Sequence, residues 1–232
     1  MLEINFEIDG VKVKGWTGQT IMDAADDAGI YIPRLCDTED LKPAGSCRVC
    51  TVKVNGKPAA ACTQPISEGI VVENNTEEMN QYRVDLVEML FSEGNHLCPV
   101  CEASGDCELQ AMGYRLGMTY YHHPDLNPNR TIDASHPDIL IDSNRCIFCG
   151  RCIRASRELD GKNIFSYVGR GINKRIKARR EKLADTDADL SDKVFAYDLC
   201  PVGCIIRKRE GFKKPIGTRY YDHKPIGSDI QS

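Results

Sequence analysis

The sequence predicts an α+β chain of three small domains in series followed by an extended tail. Three observations predict it. The 232 residues are 41% hydrophobic but only 7% aromatic, which is thin material for one large core. The first 75 residues switch between the two-residue period of strands and the longer period of a helix. Eleven of the twelve cysteines fall into three groups, and small domains with thin cores depend on staples of metal or disulfide. The expected units are 1–75, 76–135 and 136–210, with the tail at 211–232.

Composition narrows the class. Twelve cysteines in 232 residues lie below the roughly 8–10% of secreted disulfide scaffolds. Met1-Leu2-Glu3-Ile4 carries an acid where a signal peptide has basic residues, and no long apolar run follows, so neither a leader nor a membrane span is expected. A cytoplasmic location follows, where clustered cysteines favour metal over disulfide. A net charge of −4 argues against nucleic acid as the partner.

In chain order, Leu2 to Ile8 alternates as a strand, Asp9-Gly10 is a hairpin turn, and Val11 to Gly15 is the return strand. Thr20 caps a helix that Gly29 ends. Short strands are expected at Val49–Val54, Ala59–Ala61 and Ile70–Val72, around the turn Asn55-Gly56. Hairpin, helix, cysteine loop and strands in this order fit a β-grasp domain ending near Glu73. Within it Cys36, Cys47, Cys50 and Cys62 are spaced C-x10-C-x2-C-x11-C. A [2Fe–2S] cluster takes four thiolates from one cysteine-rich loop plus a distant cysteine. Gly45, Ser46 and Arg48 suit such a loop, because small residues let backbone N–H groups approach the cluster. A zinc site or buried free thiols are the competing readings.

Thr76 to Phe91 reads as an amphipathic helix capped by Thr76, with Glu77 and Glu78 at its positive end. His96, Cys98, Cys101 and Cys107 follow as H-x-C-x2-C-x5-C, four ligands in twelve residues. The motif alone suits either zinc or an iron–sulfur cluster. Cys107 opens a probable helix through Leu116, which places its sulfur near helix-terminal amides. Standing second of three groups, this site is expected in the middle of a line of metal centres. Tyr120 to Arg130, with His122 and His123, reads as a solvated connector, and His136 and His223 are not expected to be ligands.

A strand is expected at Asp138–Ile141. Cys146, Cys149 and Cys152 then form C-x2-C-x2-C, which sets three thiolates on three corners of a [4Fe–4S] cube. The fourth is Cys200 of the remote Cys200-Pro201, preceded by a helix-like segment, Ser191 to Leu199. Cys204 is spare and reads as a small buried residue. Asn163–Val168 and Gly171–Ile176 suit a hairpin. Arg170, Lys174, Arg175, Lys177, Arg179, Arg180 and Lys182 form a basic run, either a solvated face or a dock for an acidic partner. The tail is expected on a neighbour or mobile. No Gly-rich dinucleotide motif, Walker loop or nucleophile elbow is present, so the chain is expected to carry electrons without a catalytic site of its own.

Together these groups resemble a known family. The segments are Tyr31-Ile32-Pro33-Arg34-Leu35-Cys36, Ser46-Cys47-Arg48-Val49-Cys50, Glu93-Gly94-Asn95-His96, Arg145-Cys146-Ile147-Phe148-Cys149, Cys200-Pro201-Val202-Gly203 and Lys214-Pro215-Ile216-Gly217. They resemble the small iron–sulfur, diaphorase gamma-type subunit of soluble NAD-reducing [NiFe]-hydrogenases. They are also similar to the N-terminal region of the large iron–sulfur subunit of complex I. Complex I subunits usually have three residues between the histidine and the first cysteine, where this chain has only Leu97, and continue into a molybdopterin-type domain beyond the point matching Ser232. The resemblance implies one [2Fe–2S] and two [4Fe–4S] clusters, with His96 as a cluster ligand. It further implies FMN and NAD on a diaphorase partner, the small and large [NiFe] hydrogenase subunits as the other partners, and the reaction H2 + NAD+ = NADH + H+. Rival readings are the relay subunit of an NAD-dependent formate dehydrogenase, of an electron-bifurcating hydrogenase or of a complex I-like dehydrogenase, and, in another class, a zinc-stabilised scaffold.

Overall fold

The computed structural model describes residues 1–136, 139–179, 199–212 and 214–230. β1 (Glu3–Ile8) and β2 (Val11–Trp16) pair antiparallel, with Ile8 opposite Val11. Asp9 (φ 49°) and Gly10 (φ 81°) are both left-handed, as a tight two-residue hairpin with native strand twist requires. Alternation along this hairpin turns Phe6, Ile8 and Val13 inward.

α1 (Ile21–Asp27) begins at Thr20, whose hydroxyl accepts from the Asp23 amide while the Asp23 carboxylate accepts from the Thr20 amide. This reciprocal pair satisfies two donors that helix geometry orphans. β3 (Thr51–Val54), β4 (Lys57–Ala60) and β5 (Val71–Glu73) complete a five-stranded sheet in the order β2-β1-β5-β3-β4, with β1 parallel to β5. Ile8, Ile21, Met22, Val52 and Val72 fill its core, as the expected β-grasp unit demands.

α2 (Glu77–Glu93) starts at its Thr76 cap as expected and runs two residues beyond Phe91. α3 (Glu108–Arg115) follows the second cysteine group. β6 (Ile132–Asp133), β7 (Ile139–Asp142) and β10 (Ile205–Arg207) make an antiparallel sheet in the order β10-β7-β6. The strand expected from Asp138 thus sits at Ile139–Asp142, and Asp138 lies outside the described residues. The hairpin is present as β8 (Phe165–Val168) and β9 (Arg175–Ala178); its second arm starts late because Gly171–Asn173 form a 3-10 turn. The helix-like segment Ser191 to Leu199 falls, except for Leu199, outside the described residues, as do Arg180 and Lys182.

α4 (Arg151–Glu158) is an element that the apolar pattern did not announce, because its buried side includes Arg151, Arg154 and Ser156. The tail also departs from expectation. It packs on this chain: Tyr221 N–H donates to Gly105 O at 2.9 Å, and Arg115 Nη1 to Ile226 O at 2.9 Å. A second apolar core draws on residues from Tyr31 to Ile226, so Tyr31, Leu35, Cys36 and Val49 of the first unit share one interior with the second and third units and the tail. Among the described residues no helix is long and apolar enough to cross a membrane.

Candidate metal centres

The first group converges as predicted. Cys50 Sγ lies 3.5 Å from Cys62 Sγ, and the Cys36 sulfur is hydrogen-bonded by Cys47 and Cys62. Those bonds, and one from Ser46, pull the Cys36 thiol far below its usual value. Gly45 (φ 62°) and Arg48 (φ 62°) are left-handed on either side of Ser46 and Cys47, which curls the loop around the sulfurs. A Cβ on Gly45 would come within 3.1 Å of Thr63, beside Cys62. Ala61 N–H donates to Cys50 O at 3.1 Å and ties the distant cysteine to the loop.

Behind this site lies Arg83 of α2, which is 1% exposed. Its guanidinium donates to Val49 O, Thr51 O, Asn74 O, Asn74 Oδ1 and Asn80 Oδ1 at 2.7–3.2 Å. The first two carbonyls flank Cys50. Burial lowers the Arg83 pKa to about 10, so it remains a cation at neutral pH.

His96, Cys98, Cys101 and Cys107 line one small cavity with Arg145 and Gly203. Burial depresses the His96 pKa to about 4, which leaves the imidazole neutral, and it hydrogen-bonds the Leu90 backbone. Its buried Nε2 has no protein partner. A neutral imidazole with one nitrogen engaged and the other free is the state a metal ligand needs. Cys107 is the N-cap of α3, and its sulfur accepts from Gln110 N–H at 3.5 Å. Arg145 Nη1 reaches Cys101 Sγ at 3.7 Å. A Cβ on Gly203 would fall 2.7 Å from Cys101 Sγ, so the close approach requires glycine.

Cys146, Cys149 and Cys152 lie on the turn entering α4. Phe148 (φ 53°) and Gly150 (φ 73°) are left-handed there, and Tyr167 Oη clamps the turn by donating to Phe148 O at 2.7 Å. Lys174 of the basic run is not simply solvated: its Nζ stands 4.2 Å from the Tyr167 ring centroid and 4.9 Å from that of Phe148. Burial raises the Cys149 thiol to about 12 and holds Cys152 high as well. Cys204 is buried, as expected, but it is not isolated from the site. Its thiol hydrogen-bonds Cys146 and Cys200, which first of all holds its own proton on, while the bond from Cys204 brings Cys200 down to about 7. Cys200 Sγ also donates to Val202 O at 3.1 Å. Spacing alone gave no signal for the Cys204 contact.

Arg154 of α4 donates to Cys36 O and, at 3.4 Å, to Cys149 O, joining the first group to the third. Glu108 N–H donates to Pro201 O at 2.8 Å, and Arg145 Nη1 to Gly203 O at 3.5 Å, joining the second to the third. Arg151 pairs with Glu108 and donates to Asp37 O at 2.7 Å. Contacts therefore join the all-cysteine third group to each of the other two.

His122 is exposed and pairs with Glu88 at 2.9 Å, and His136 Nδ1 accepts from Ile139 N–H. Among the described residues, no three His, Cys, Asp or Glu side chains close on a point as a single ion would need. The donor sets suit clusters: thiolates surround two of the spaces, and three sulfurs with an orphaned imidazole nitrogen surround the other.

Fold and donor sets define an iron–sulfur protein with a β-grasp and a ferredoxin-like end. Comparison with known proteins agrees. Residues 2–77 match a 2Fe-2S iron-sulfur cluster binding domain, residues 83–122 the NADH-ubiquinone oxidoreductase-G iron-sulfur binding region, and residues 136–206 the ferredoxin-like domain of NADH-quinone oxidoreductase subunit 3. The chain is 42% identical to the NAD-reducing hydrogenase HoxS subunit gamma of Cupriavidus necator, over 97% of this chain and 96% of that one. It is 34% identical to the 78 kDa subunit of mitochondrial NADH-ubiquinone oxidoreductase of Neurospora crassa, over 91% of this chain but 28% of that much longer relative. A chain in the crystal structure of an NAD+-reducing [NiFe]-hydrogenase in the H2-reduced state superposes with a TM-score of 0.89, at 43% identity, with 99% of both chains covered. The chain belongs to the gamma-subunit family of NAD-reducing hydrogenases, an oxidoreductase family related to the iron–sulfur subunit of complex I.

Proposed function

We propose that this chain is the electron relay of an NAD-reducing [NiFe]-hydrogenase in the cytoplasm. Cys36, Cys47, Cys50 and Cys62 hold a [2Fe–2S] cluster. His96, Cys98, Cys101 and Cys107 hold one [4Fe–4S] cluster, and Cys146, Cys149, Cys152 and Cys200 hold another. The respective units are 1–75, 76–135 and 136–210. When bound, each cluster supplies reversible one-electron storage. The chain's own residues fix the separations, exclude water and set the local charge. Its partners are a diaphorase subunit with FMN and NAD and the small and large [NiFe] subunits, which carry out H2 + NAD+ = NADH + H+ between them.

The observation that carries this reading is the bridging of three sulfur-lined sites by buried arginines and short backbone bonds. Contacts of the third group with both of the others support a hand-over of electrons in the order first, third, second. The [2Fe–2S] site is then an end of the line that neighbours the all-cysteine cube.

Metal analysis with EPR of the reduced protein tests the assignment. About ten irons per chain are expected, and His96→Ala should abolish or move the signal of one [4Fe–4S] cluster alone. A colourless protein that holds only zinc would sink the reading.

A further inference from the structure

Several buried cations approach the cysteine groups, and they differ in what neutralises them. Arg151 is paired to Glu108, with its two terminal nitrogens at 2.5 and 2.8 Å from the carboxylate. Arg145 is paired to Glu102 at 2.5 Å and Asp142 at 3.1 Å. Arg154 has no such partner. It is 8% exposed and donates only to carbonyls: Lys42 O at 2.6 Å, Cys36 O and Cys149 O. Its Nε is buried without any partner. Among the described residues no carboxylate lies within ion-pair distance of it; Asp37 and Glu158 are the acids near enough to feel its charge.

A buried, unpaired cation is costly unless something compensates it. The two groups whose backbone carbonyls it brackets are the ligand sets of the first and third sites. Four thiolates around two or four irons leave a net negative charge, and each reduction adds another negative charge. A guanidinium fixed between two such centres favours the reduced form of both, because water is largely excluded and the interaction is poorly screened. It also softens the repulsion that an electron on one centre exerts on the other.

We infer that Arg154 is the shared counter-charge of the [2Fe–2S] and all-cysteine [4Fe–4S] centres, a positioning residue that raises both reduction potentials together and leaves the histidine-ligated centre alone. This rests on the cluster assignment above. It deepens that reading by naming the residue that matches two neighbouring centres to each other.

The test is an EPR-monitored redox titration of the full chain in the complex with which it purifies, wild type beside Arg154→Gln and Arg154→His. In Arg154→Gln the midpoint potentials of the [2Fe–2S] and all-cysteine centres should both fall, with the histidine-ligated centre unmoved. In Arg154→His the same two potentials should become more steeply pH-dependent than in wild type, falling as pH rises and the imidazolium loses its proton; the carboxyl of Asp37, raised to about 6 by burial beside Cys36, gives both proteins a shared background. Intact signals with unmoved potentials in Arg154→Gln would overturn the inference, as would equal movement of all three centres. Should Arg154→Gln fail to retain its clusters, Arg154→His decides: potentials that follow the wild-type values at every pH overturn it. Absence of cluster signals in wild type would instead remove the assignment on which it stands.

Discussion

Residues 2–75 and residues 96–230 both wrap four-ligand sites, but they differ in what holds them. The β-grasp end has an aliphatic core of Ile8, Ile21, Met22, Val52 and Val72, a five-stranded sheet and a capped helix. Cys36, Cys50 and Cys62 are buried there too, at 1% exposed or less, but backbone pairing in the sheet defines the structure around them. The remainder has only short strands and helices, and cysteines are part of its interior: Cys107, Cys149, Cys152 and Cys204 are all at most 9% exposed. Where little regular structure surrounds buried cysteines, metal binding and folding become one equilibrium. The comparison separates a domain that carries a cluster from a region that is assembled around clusters.

The most severe way to break that contrast is to remove the metal. Anaerobic chelation should cost residues 96–230 most of their amide protection, while β1, β5 and β3 keep theirs, as hydrogen exchange by mass spectrometry would read. Equal loss at both ends would show that the β-grasp unit depends on its cluster as well. Deleting single ligands sharpens the same point. Cys200→Ser should lower the iron content from about ten to about six per chain, through loss of one cube. Cys204→Ala should keep the iron if, as proposed, Cys200 is the fourth ligand and Cys204 only contacts it and Cys146. Iron loss only in the second variant would reverse the two roles.

Most of the candidate ligands were legible because their spacing is local. Cys146, Cys149 and Cys152 span one turn, and His96 to Cys107 span one loop, so composition and order sufficed. The β-grasp hairpin was legible for the same reason, in Asp9-Gly10, and the first helix in Thr20 and Asp23. What depended on contacts between distant segments was not. α4 escaped because its buried face carries Arg151 and Arg154, which a hydrophobic pattern counts as surface, although their partners are carbonyls and acids more than forty residues away. The contacts between the sites escaped because Glu108 meets Pro201, and Cys36 meets α4, only in three dimensions. Cys204 looked spare because nothing in its neighbours announces a sulfur contact with Cys146.

Arg83 is where the two regions meet, and it tests whether they are coupled. Its fork fixes α2 to the carbonyls on either side of Cys50. Arg83→Met keeps the length and apolar stem but strands several buried acceptors, each costing about 1–3 kcal/mol when left unmade. A loss of about 3 kcal/mol or more is expected in denaturant titration of the loaded protein, with the [2Fe–2S] absorption lost ahead of the other centres. Simultaneous loss of all three would show that α2 transmits the damage beyond the first site.

The mildest probe acts on the β-grasp end alone. Thr20 caps α1 through one arm of a reciprocal pair, and Asp23 supplies the other. Thr20→Ala removes the acceptor for the Asp23 amide and should cost about 1 kcal/mol. Because α1 packs only into the aliphatic core beside β2, the loss should appear as faster exchange in residues 2–75. Exchange in α3 and α4 should be unchanged, as should the iron content. If Thr20→Ala also loosened those helices, the aliphatic core would be propagating strain into the cysteine-cored region, and the two would have to be treated as one cooperative unit. Cys36 is the residue through which that would travel. It follows Ile32 of the first core by four positions, belongs to the second core, and offers its carbonyl to Arg154.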